Sequence, residues 1–277
     1  MCKDNNVELM RETERQKREK EFYDEFSGNM NIDSVVFDSI DPKQDRPWNS
    51  YWYLYKFALK HYQENKNCLL DFGCGRGTSS VLFATIGYQV YGFDISEKSL
   101  NIGRKLAQKY GFEKQIELTL QTAEKLIYPS DYFDIIVGFD ILHHVNMEDA
   151  IEECWRVLKK DGIAIFREPV DVPFFDSVRN MRIVRKYFPN EKCLDVSKHI
   201  TQDERKLNRK DIQIIRNIFR DSVVEVKFTF LSRLDYIFSK YYRFKYSPLE
   251  ILDYYIFKFI PILKKYGGDS VIIIKKV

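Results

Sequence analysis

Three glycines lie two residues apart in the stretch LLDFGCGRGTSS, at Gly73, Gly75 and Gly77, directly after a short apolar run. Because glycine has no Cβ, a ligand can touch the backbone there, and a helix that begins behind such a loop can receive a small anion at its N-terminus. The dinucleotide fingerprint would need a glycine at position 78, which is Thr78, and no Lys-Ser or Lys-Thr pair completes a P-loop. The loop therefore favours a ligand with a small anionic group, such as a carboxylate, and no phosphate.

An acidic residue ends the next apolar run. Asp94, in YGFDIS, follows Gly77 by seventeen residues. A carboxylate at that end of a strand is placed to accept hydrogen bonds from both hydroxyls of a ribose. A ligand that combines a ribose, an adenine and an amino-acid carboxylate suits both features, and S-adenosylmethionine is such a ligand.

Two adjacent histidines, His143 and His144, follow a later apolar run, and Glu168 stands near the end of the one after it. A histidine with an ordinary pKa of about 6.5 can take a proton from a hydroxyl group at neutral pH. The other histidines, His61 and His199, are remote in sequence, so we expect no metal site.

Short apolar runs alternate with helical patterns, which predicts an α/β fold: a seven-stranded, mostly parallel sheet with helices on both faces. Helical patterns also precede the first run, over residues 8–26 and 48–64, and the last run. We divide the chain into an N-terminal helical cap, residues 1–66, and a core, residues 67–277, in which 170–207 and 232–268 are cap segments on the substrate side. The predicted strands are CLLDF, QVYGFDI, IELTLQ, FDIIVGF, GIAIFRE, VVEVKFTFL and SVIIIKK.

The 277 residues are 44% hydrophobic and 31% charged, which is typical of a globular protein with a sizeable core. The five cysteines form no Cys-x-x-Cys pair and the N-terminus lacks the apolar core of a signal peptide, so we expect reduced thiols in the cytoplasm. The sequence has no run of eighteen apolar residues, so we expect no transmembrane helix. The net charge of +3 is too small to argue for a nucleic-acid partner.

Four segments resemble, in order and spacing, the motifs of the class I S-adenosylmethionine-dependent methyltransferases: LLDFGCGRG, YGFDIS, FDIIVGFDILHHV and RVLKKDGIAIFREP. The resemblance covers residues 68–169 and implies a Rossmann-like fold with S-adenosylmethionine as cofactor. Thr122 stands where the family usually has an acid, so the contact with the adenine amine departs from the family pattern. The resemblance implies cofactor contacts from Asp71, Gly73, Gly75, Asp94, Ile95, Ala123, Glu124 and Phe139.

The same resemblance implies that His143 faces the transferred methyl group as a general base, with His144 packed or hydrogen-bonded behind it. Glu168 would orient a histidine or bind the acceptor. We expect methyl transfer to a hydroxyl of a small molecule, such as a sugar, a polyketide or a lipid-linked metabolite. Transfer to nitrogen or carbon, and a non-catalytic S-adenosylmethionine-binding partner or regulatory module, stay open as alternatives.

Two segments outside the motifs carry further predictions. A basic helix over residues 177–188 is either a solvated face or an attractant for an anionic acceptor. The aromatic segment 232–268 is interpreted as a lid, with packing on the core or in a homodimer and peripheral contact with a membrane as alternatives. Its lysines favour contact with lipid, whereas Glu250 and Asp253 oppose it.

Overall fold

A computed structural model describes residues 13–27, 32–35, 46–173, 205–220, 222–235 and 246–277. Among them seven strands form one sheet in the order β3-β2-β1-β4-β5-β7-β6. Strand β7 is antiparallel to β5 and β6, and the other pairs are parallel. This confirms the predicted Rossmann-like sheet. The strands are β1 (Cys68–Phe72), β2 (Gln89–Asp94), β3 (Ile116–Leu120), β4 (Phe133–Phe139), β5 (Leu158–Pro169), β6 (Val223–Phe228) and β7 (Asp269–Lys275).

Seven α-helices accompany these strands in the described residues. Asn208 and Asp211 form a capping box at the start of the sixth helix. No described helix has the length and apolar character that crossing a membrane requires. The predicted basic helix over 177–188 and most of segment 170–207 lie outside the described residues. The helices are α1 (Glu14–Ser27), α2 (Ser50–His61), α3 (Thr78–Ile86), α4 (Glu97–Lys109), α5 (Met147–Val157), α6 (Arg209–Ile218) and α7 (Pro248–Phe259).

The central strands are apolar on both faces because helices cover both sides of the sheet. Leu69 packs into the cluster on one face, and Leu70 and Phe72 pack into the cluster on the other, all fully buried. In register, Phe72 lies beside Phe93 of β2 and Gly138 of β4. The loops that follow β1, β2 and β4 therefore meet at one edge of a rigid sheet.

Candidate functional site

A cavity of about 610 Å³ lies at this edge, a size typical of small-molecule sites. The loops after β1, β2 and β4 line part of it, and α2 adds Tyr51 and Tyr55. Helix α1 provides seven lining residues, more than any other helix described here: Arg15, Gln16, Glu19, Phe22, Tyr23, Phe26 and Ser27. The N-terminal helices are thus part of the site.

The glycine loop adopts backbone angles that a side chain would strain. Gly77 caps α3 with φ of 70°, and a Cβ there would lie 2.9 Å from the Cα of Gly103 on α4. Gly75 has φ of 50°, but a Cβ there would meet no atom within 4 Å. Because Gly75 lines the cavity, the space beside it is available to a ligand.

Asp71 lies behind the loop. Its Oδ2 accepts hydrogen bonds from the hydroxyls of Ser79 (2.7 Å) and Ser80 (2.6 Å) in the first turn of α3. Burial raises the pKa of Asp71 to about 6. Asp71 is not among the described residues that line the cavity. Its bonds to Ser79 and Ser80 instead connect the start of α3 to β1. The contact between Asp71 and the cofactor, which the resemblance implies, stays a prediction.

Asp94 lies on the cavity wall at the end of β2. Its Oδ2 accepts a hydrogen bond from the backbone N–H of Gly75, and its Oδ1 accepts one from that of Ser96, both at 2.9 Å. Each carboxylate oxygen has a second lone pair, so both can still accept a hydroxyl from a ligand. Burial raises the pKa of Asp94 to about 6. An acceptor-only carboxylate held in this way suits a ribose.

The other six predicted cofactor residues all line the cavity: Gly73, Gly75, Ile95, Ala123, Glu124 and Phe139. Glu124 differs from the others because protein groups already use its carboxylate. It accepts hydrogen bonds from Arg15 (2.5 Å) and Gln16 (3.1 Å) of α1, and from the backbone N–H of Asn146 (2.9 Å). Glu124 therefore ties α1 to the sheet edge, a role that sequence analysis did not foresee.

The two adjacent histidines point in directions opposite to those expected. His143 Nδ1 lies 2.6 Å from Oε2 of the fully buried Glu168, and neither residue is among the described cavity lining. His144 lines the cavity instead. The cause is the 3-10 turn Leu142–His144, in which successive side chains point about 120° apart. When His143 turns toward Glu168, His144 must turn toward the cavity.

Two residues of α1 contact His144, and sequence analysis assigned a chemical role to neither. The hydroxyl of Tyr23 lies 3.1 Å from Nε2 of His144. Oε2 of the buried Glu19 lies 3.1 Å from Nδ1, close enough for an ion pair but without the alignment of a hydrogen bond. A signal was present in the sequence, since Arg15, Glu19 and Tyr23 recur every four residues and so share one face of α1.

The segment 232–268 does not line the cavity with any of its described residues, 232–235 and 246–268. Instead, the carboxylate of Asp253 on α7 accepts the backbone N–H groups of Phe230, Leu231 and Ser232 at 2.7 to 2.9 Å. These bonds fasten α7 beside the end of β6. The described residues therefore give the lid interpretation no support, and α1 and α2 occupy the place that it assigned to this segment.

We expect Gly75→Ala to weaken binding of S-adenosylmethionine at least tenfold, because the added methyl group would enter the cavity. The positive φ at this position should also cost an L-residue about 1–2 kcal/mol of unfolding free energy. Gly111→Ala is the matched control. Gly111 has φ of 75°, a Cβ there would meet no atom within 4 Å, and the residue is exposed and away from the cavity. Calorimetric titration and thermal melting should show similar stability losses for both variants and an affinity loss for Gly75→Ala alone. Equal affinities would place the ligand away from the glycine loop.

Comparison with known proteins agrees with this geometry. Residues 70–166 match the family described as a methyltransferase domain. The chain is similar to a ubiquinone biosynthesis O-methyltransferase of Azoarcus sp., with 33% identity over 99 residues, which are 35% of this chain and 42% of that protein. It is also similar to a ubiquinone/menaquinone biosynthesis C-methyltransferase of Hydrogenovibrio crunogenus, with 28% identity over 153 residues, 54% of this chain and 57% of that protein. The chain thus spans about half the length of these curated relatives.

A similar fold occurs in the crystal structure of geranyl diphosphate C-methyltransferase from Streptomyces coelicolor A3(2), solved with Mg²⁺, geranyl diphosphate and S-adenosyl-L-homocysteine. The TM-score is 0.59 at 14% identity, over 96% of this chain and 99% of that one. Within the described residues, no group of three or more His, Cys, Asp or Glu side chains could hold a metal ion. Sequence motifs, fold and domain match agree: residues 70–166 match a methyltransferase domain, and the chain is similar in sequence and fold to S-adenosylmethionine-dependent methyltransferases.

Proposed function

We propose that this protein transfers a methyl group from S-adenosylmethionine to a hydroxyl group of a small molecule. One observation carries the proposal: the same cavity is lined by Asp94 and Gly75, which suit the cofactor, and by His144, which can accept a proton. A site that only bound the cofactor would not need a histidine flanked by a carboxylate and a phenol.

The cofactor would be held by groups that the cavity presents. Asp94 would accept the ribose hydroxyls, Ile95 would pack against the adenine, and the bare backbone at Gly75 would let the methionine portion approach closely. Thr122 replaces the usual acid, so adenine recognition must depend on other contacts. When bound, S-adenosylmethionine supplies an electrophilic methyl group that needs no further activation.

The protein's own chemical task is then to manage the proton of the acceptor. In the tautomer that carries its proton on Nδ1, beside the Glu19 carboxylate, His144 would have a bare Nε2 that accepts a proton; the Tyr23 hydroxyl lies at this nitrogen. An acceptor hydroxyl that replaces Tyr23 at Nε2 would pass its proton to His144 as its oxygen bonds the methyl carbon. The bond between that carbon and the cofactor sulfur would break in the same step, and S-adenosylhomocysteine would leave as a neutral thioether. The Glu19 carboxylate would stabilise the imidazolium that results.

Helix α1 can also keep water away from this step. It is fastened at its C-terminal part by hydrogen bonds from Ser96 Oγ to Asp24 (2.6 Å) and between the hydroxyls of Ser27 and Ser99 (2.7 Å). At its N-terminal part, Arg15 is paired with Glu124. Because α1 lines the cavity between these attachments, water is restricted where charge is transferred.

Transfer to carbon is the second candidate, since one similar protein is named a C-methyltransferase and another an O-methyltransferase. The lining aromatic rings favour an unsaturated or ring-shaped acceptor for either reaction. A proton must leave the acceptor in both cases, so His144 would serve both. Phenols, sugar hydroxyls and isoprenoid-linked rings are the acceptor classes with which we expect to distinguish transfer to oxygen from transfer to carbon.

The test has two stages. Calorimetry with S-adenosylmethionine, S-adenosylhomocysteine and NAD should show binding of the two sulfur compounds only; NAD binding without either of them would overturn the proposal. Methyl-labelled cofactor is then incubated with metabolite extracts and with a panel of phenols, sugars, allylic diphosphates and amines. Label on oxygen supports the proposal, label on carbon or nitrogen selects that alternative, and cofactor binding with no transfer to any acceptor supports a regulatory module.

A further inference from the structure

An apolar surface is exposed on α7 and on the 3-10 helix Pro261–Tyr266 that follows it. Its large side chains are between 45% and 72% exposed, although apolar residues of this size are usually buried. The contributors on α7 recur at helical spacing and so share one side of it. Contiguous apolar patches of this kind mark sites of interaction. The exposed side chains are Leu252, Tyr255, Phe259, Ile260 and Ile262.

Positive charge is interleaved with these side chains. Lys258, Lys264 and Lys265 are exposed beside them. The Nζ of Lys258 lies 6.0 Å from the ring centre of Phe259, and that of Lys265 lies 4.9 Å from the ring centre of Tyr266. The surface therefore combines exposed apolar side chains with cations that lie next to them.

The two acidic residues that opposed lipid contact in the sequence do not belong to this surface. Asp253 is 2% exposed and accepts three backbone N–H groups near the end of β6. Glu250 is half-buried and accepts a hydrogen bond from Asn49 Nδ2 at 3.4 Å. Among the described residues 246–268, the outward side thus carries lysines without a carboxylate to offset them.

We propose that α7 and Pro261–Tyr266 form a docking surface for an anionic lipid bilayer. Exposed aromatic and aliphatic side chains interleaved with lysine are the pattern of helices that lie in a membrane interface. Each lysine near an anionic bilayer improves binding about fivefold. A second copy of this chain fits less well, because a symmetric contact through this face would oppose the lysines of one copy to those of the other.

Helix α7, which carries part of the docking surface, also contacts a helix that lines the cavity. Asn49, which bonds Glu250 of α7, is the N-cap of α2, and Trp48 packs edge-to-face on Tyr246 with ring centres 6.2 Å apart. Docking would therefore bring α2, with its cavity residues Tyr51 and Tyr55, close to the bilayer. An acceptor with an apolar tail could then pass from lipid to the cavity, an extension that rests on the proposed function, whereas docking itself does not.

Sedimentation with vesicles tests the proposal without any methyl-transfer assay. The full chain should bind vesicles of mixed phosphatidylcholine and phosphatidylglycerol, bind pure phosphatidylcholine weakly, and dissociate as salt is raised. Phe259→Ser combined with Ile262→Ser should abolish binding. The triple change Lys258→Gln, Lys264→Gln and Lys265→Gln should weaken it on the order of 100-fold.

Matched control variants lie on other surfaces. Ile127 is 73% exposed, and Lys60, Lys105 and Lys114 are exposed. Ile127→Ser, and Gln at those three lysines together, should bind the mixed vesicles within twofold of the parent, and circular dichroism should show that every variant is folded. Equal binding to neutral and anionic vesicles, or undiminished binding by the Phe259 and Ile262 variant, would overturn the proposal. So would a dimer that this variant dissociates while the parent binds no vesicles.

Discussion

The variant His144→Ala is expected to lower turnover by roughly 100- to 10,000-fold, the range that a positioned general base supplies. Its dissociation constant for S-adenosylmethionine should stay within about threefold of the parent's, because the imidazole acts on the acceptor proton and not on the nucleoside. The prediction depends on His144 lining the cavity with its Nε2 3.1 Å from the Tyr23 hydroxyl. Steady-state turnover and calorimetric titration of the same preparation separate the two effects.

His143→Ala is the informative comparison, since the family resemblance assigned the base to His143. In the structure its Nδ1 faces Oε2 of the fully buried Glu168, away from the described cavity lining. Its removal should cost about 1–3 kcal/mol of unfolding free energy, because Oε2 loses a buried partner, and the folded fraction should keep most of its turnover. If His143→Ala is folded but inactive while His144→Ala is active, the assignment made from the resemblance is correct.

Tyr23→Phe separates two routes for the proton. If the acceptor hydroxyl replaces Tyr23 at Nε2, the loss of the phenol oxygen should reduce turnover by no more than about tenfold. A loss as large as that of His144→Ala would indicate that the proton passes through the phenol. Full turnover in His144→Ala would show that the acceptor needs no general base. A neutral amine is an acceptor of this kind.

Local signals were sufficient to predict the sheet and the residue types at the ends of its strands that line the cavity. Buried parallel strands read as continuous apolar runs, and the glycine loop and Asp94 are each determined within a few residues of a strand end. These features depend on neighbours in the chain, so the sequence displays them directly.

The acceptor side could not be predicted in the same way. Which histidine faces the cavity depends on the orientation of the three-residue 3-10 turn Leu142–His144. That orientation turns His143 toward Glu168, which lies 25 residues further along the chain. Tyr23 meets His144 across 121 residues of sequence. The helical pattern of α1 predicted the helix, but only tertiary packing determines what its Glu19 and Tyr23 side chains contact.

Asp94→Asn is expected to weaken binding of S-adenosylmethionine by about 2–4 kcal/mol, which is roughly 30- to 1,000-fold in dissociation constant. The carboxylate accepts one backbone N–H on each oxygen, from Gly75 and from Ser96. An asparagine has a single acceptor oxygen, so one of these N–H groups would face an NH₂ donor, and only one oxygen would remain for two ribose hydroxyls. An unchanged dissociation constant would show that the ribose is held elsewhere.

The pH dependence of the same equilibrium provides an independent test. Burial raises the pKa of Asp94 to about 6 in the protein without cofactor, so its carboxyl group is mostly protonated below that pH and cannot accept from both hydroxyls. If the cofactor binds the carboxylate, affinity should be constant above about pH 7 and fall up to tenfold per pH unit below pH 6, with proton release on binding.

Asp71 is the necessary control for this titration, because burial raises its pKa to about 6 as well. Asp71 bonds Ser79 and Ser80 behind the loop, so Asp71→Asn should lower stability but keep the pH dependence of cofactor affinity. Asp94→Asn should instead flatten the dependence, since the titrating group at the ribose is gone. If the affinity still depends on pH in Asp94→Asn and no longer does so in Asp71→Asn, the proton released on cofactor binding comes from Asp71. The cofactor would then interact with the charge of Asp71 across the glycine loop.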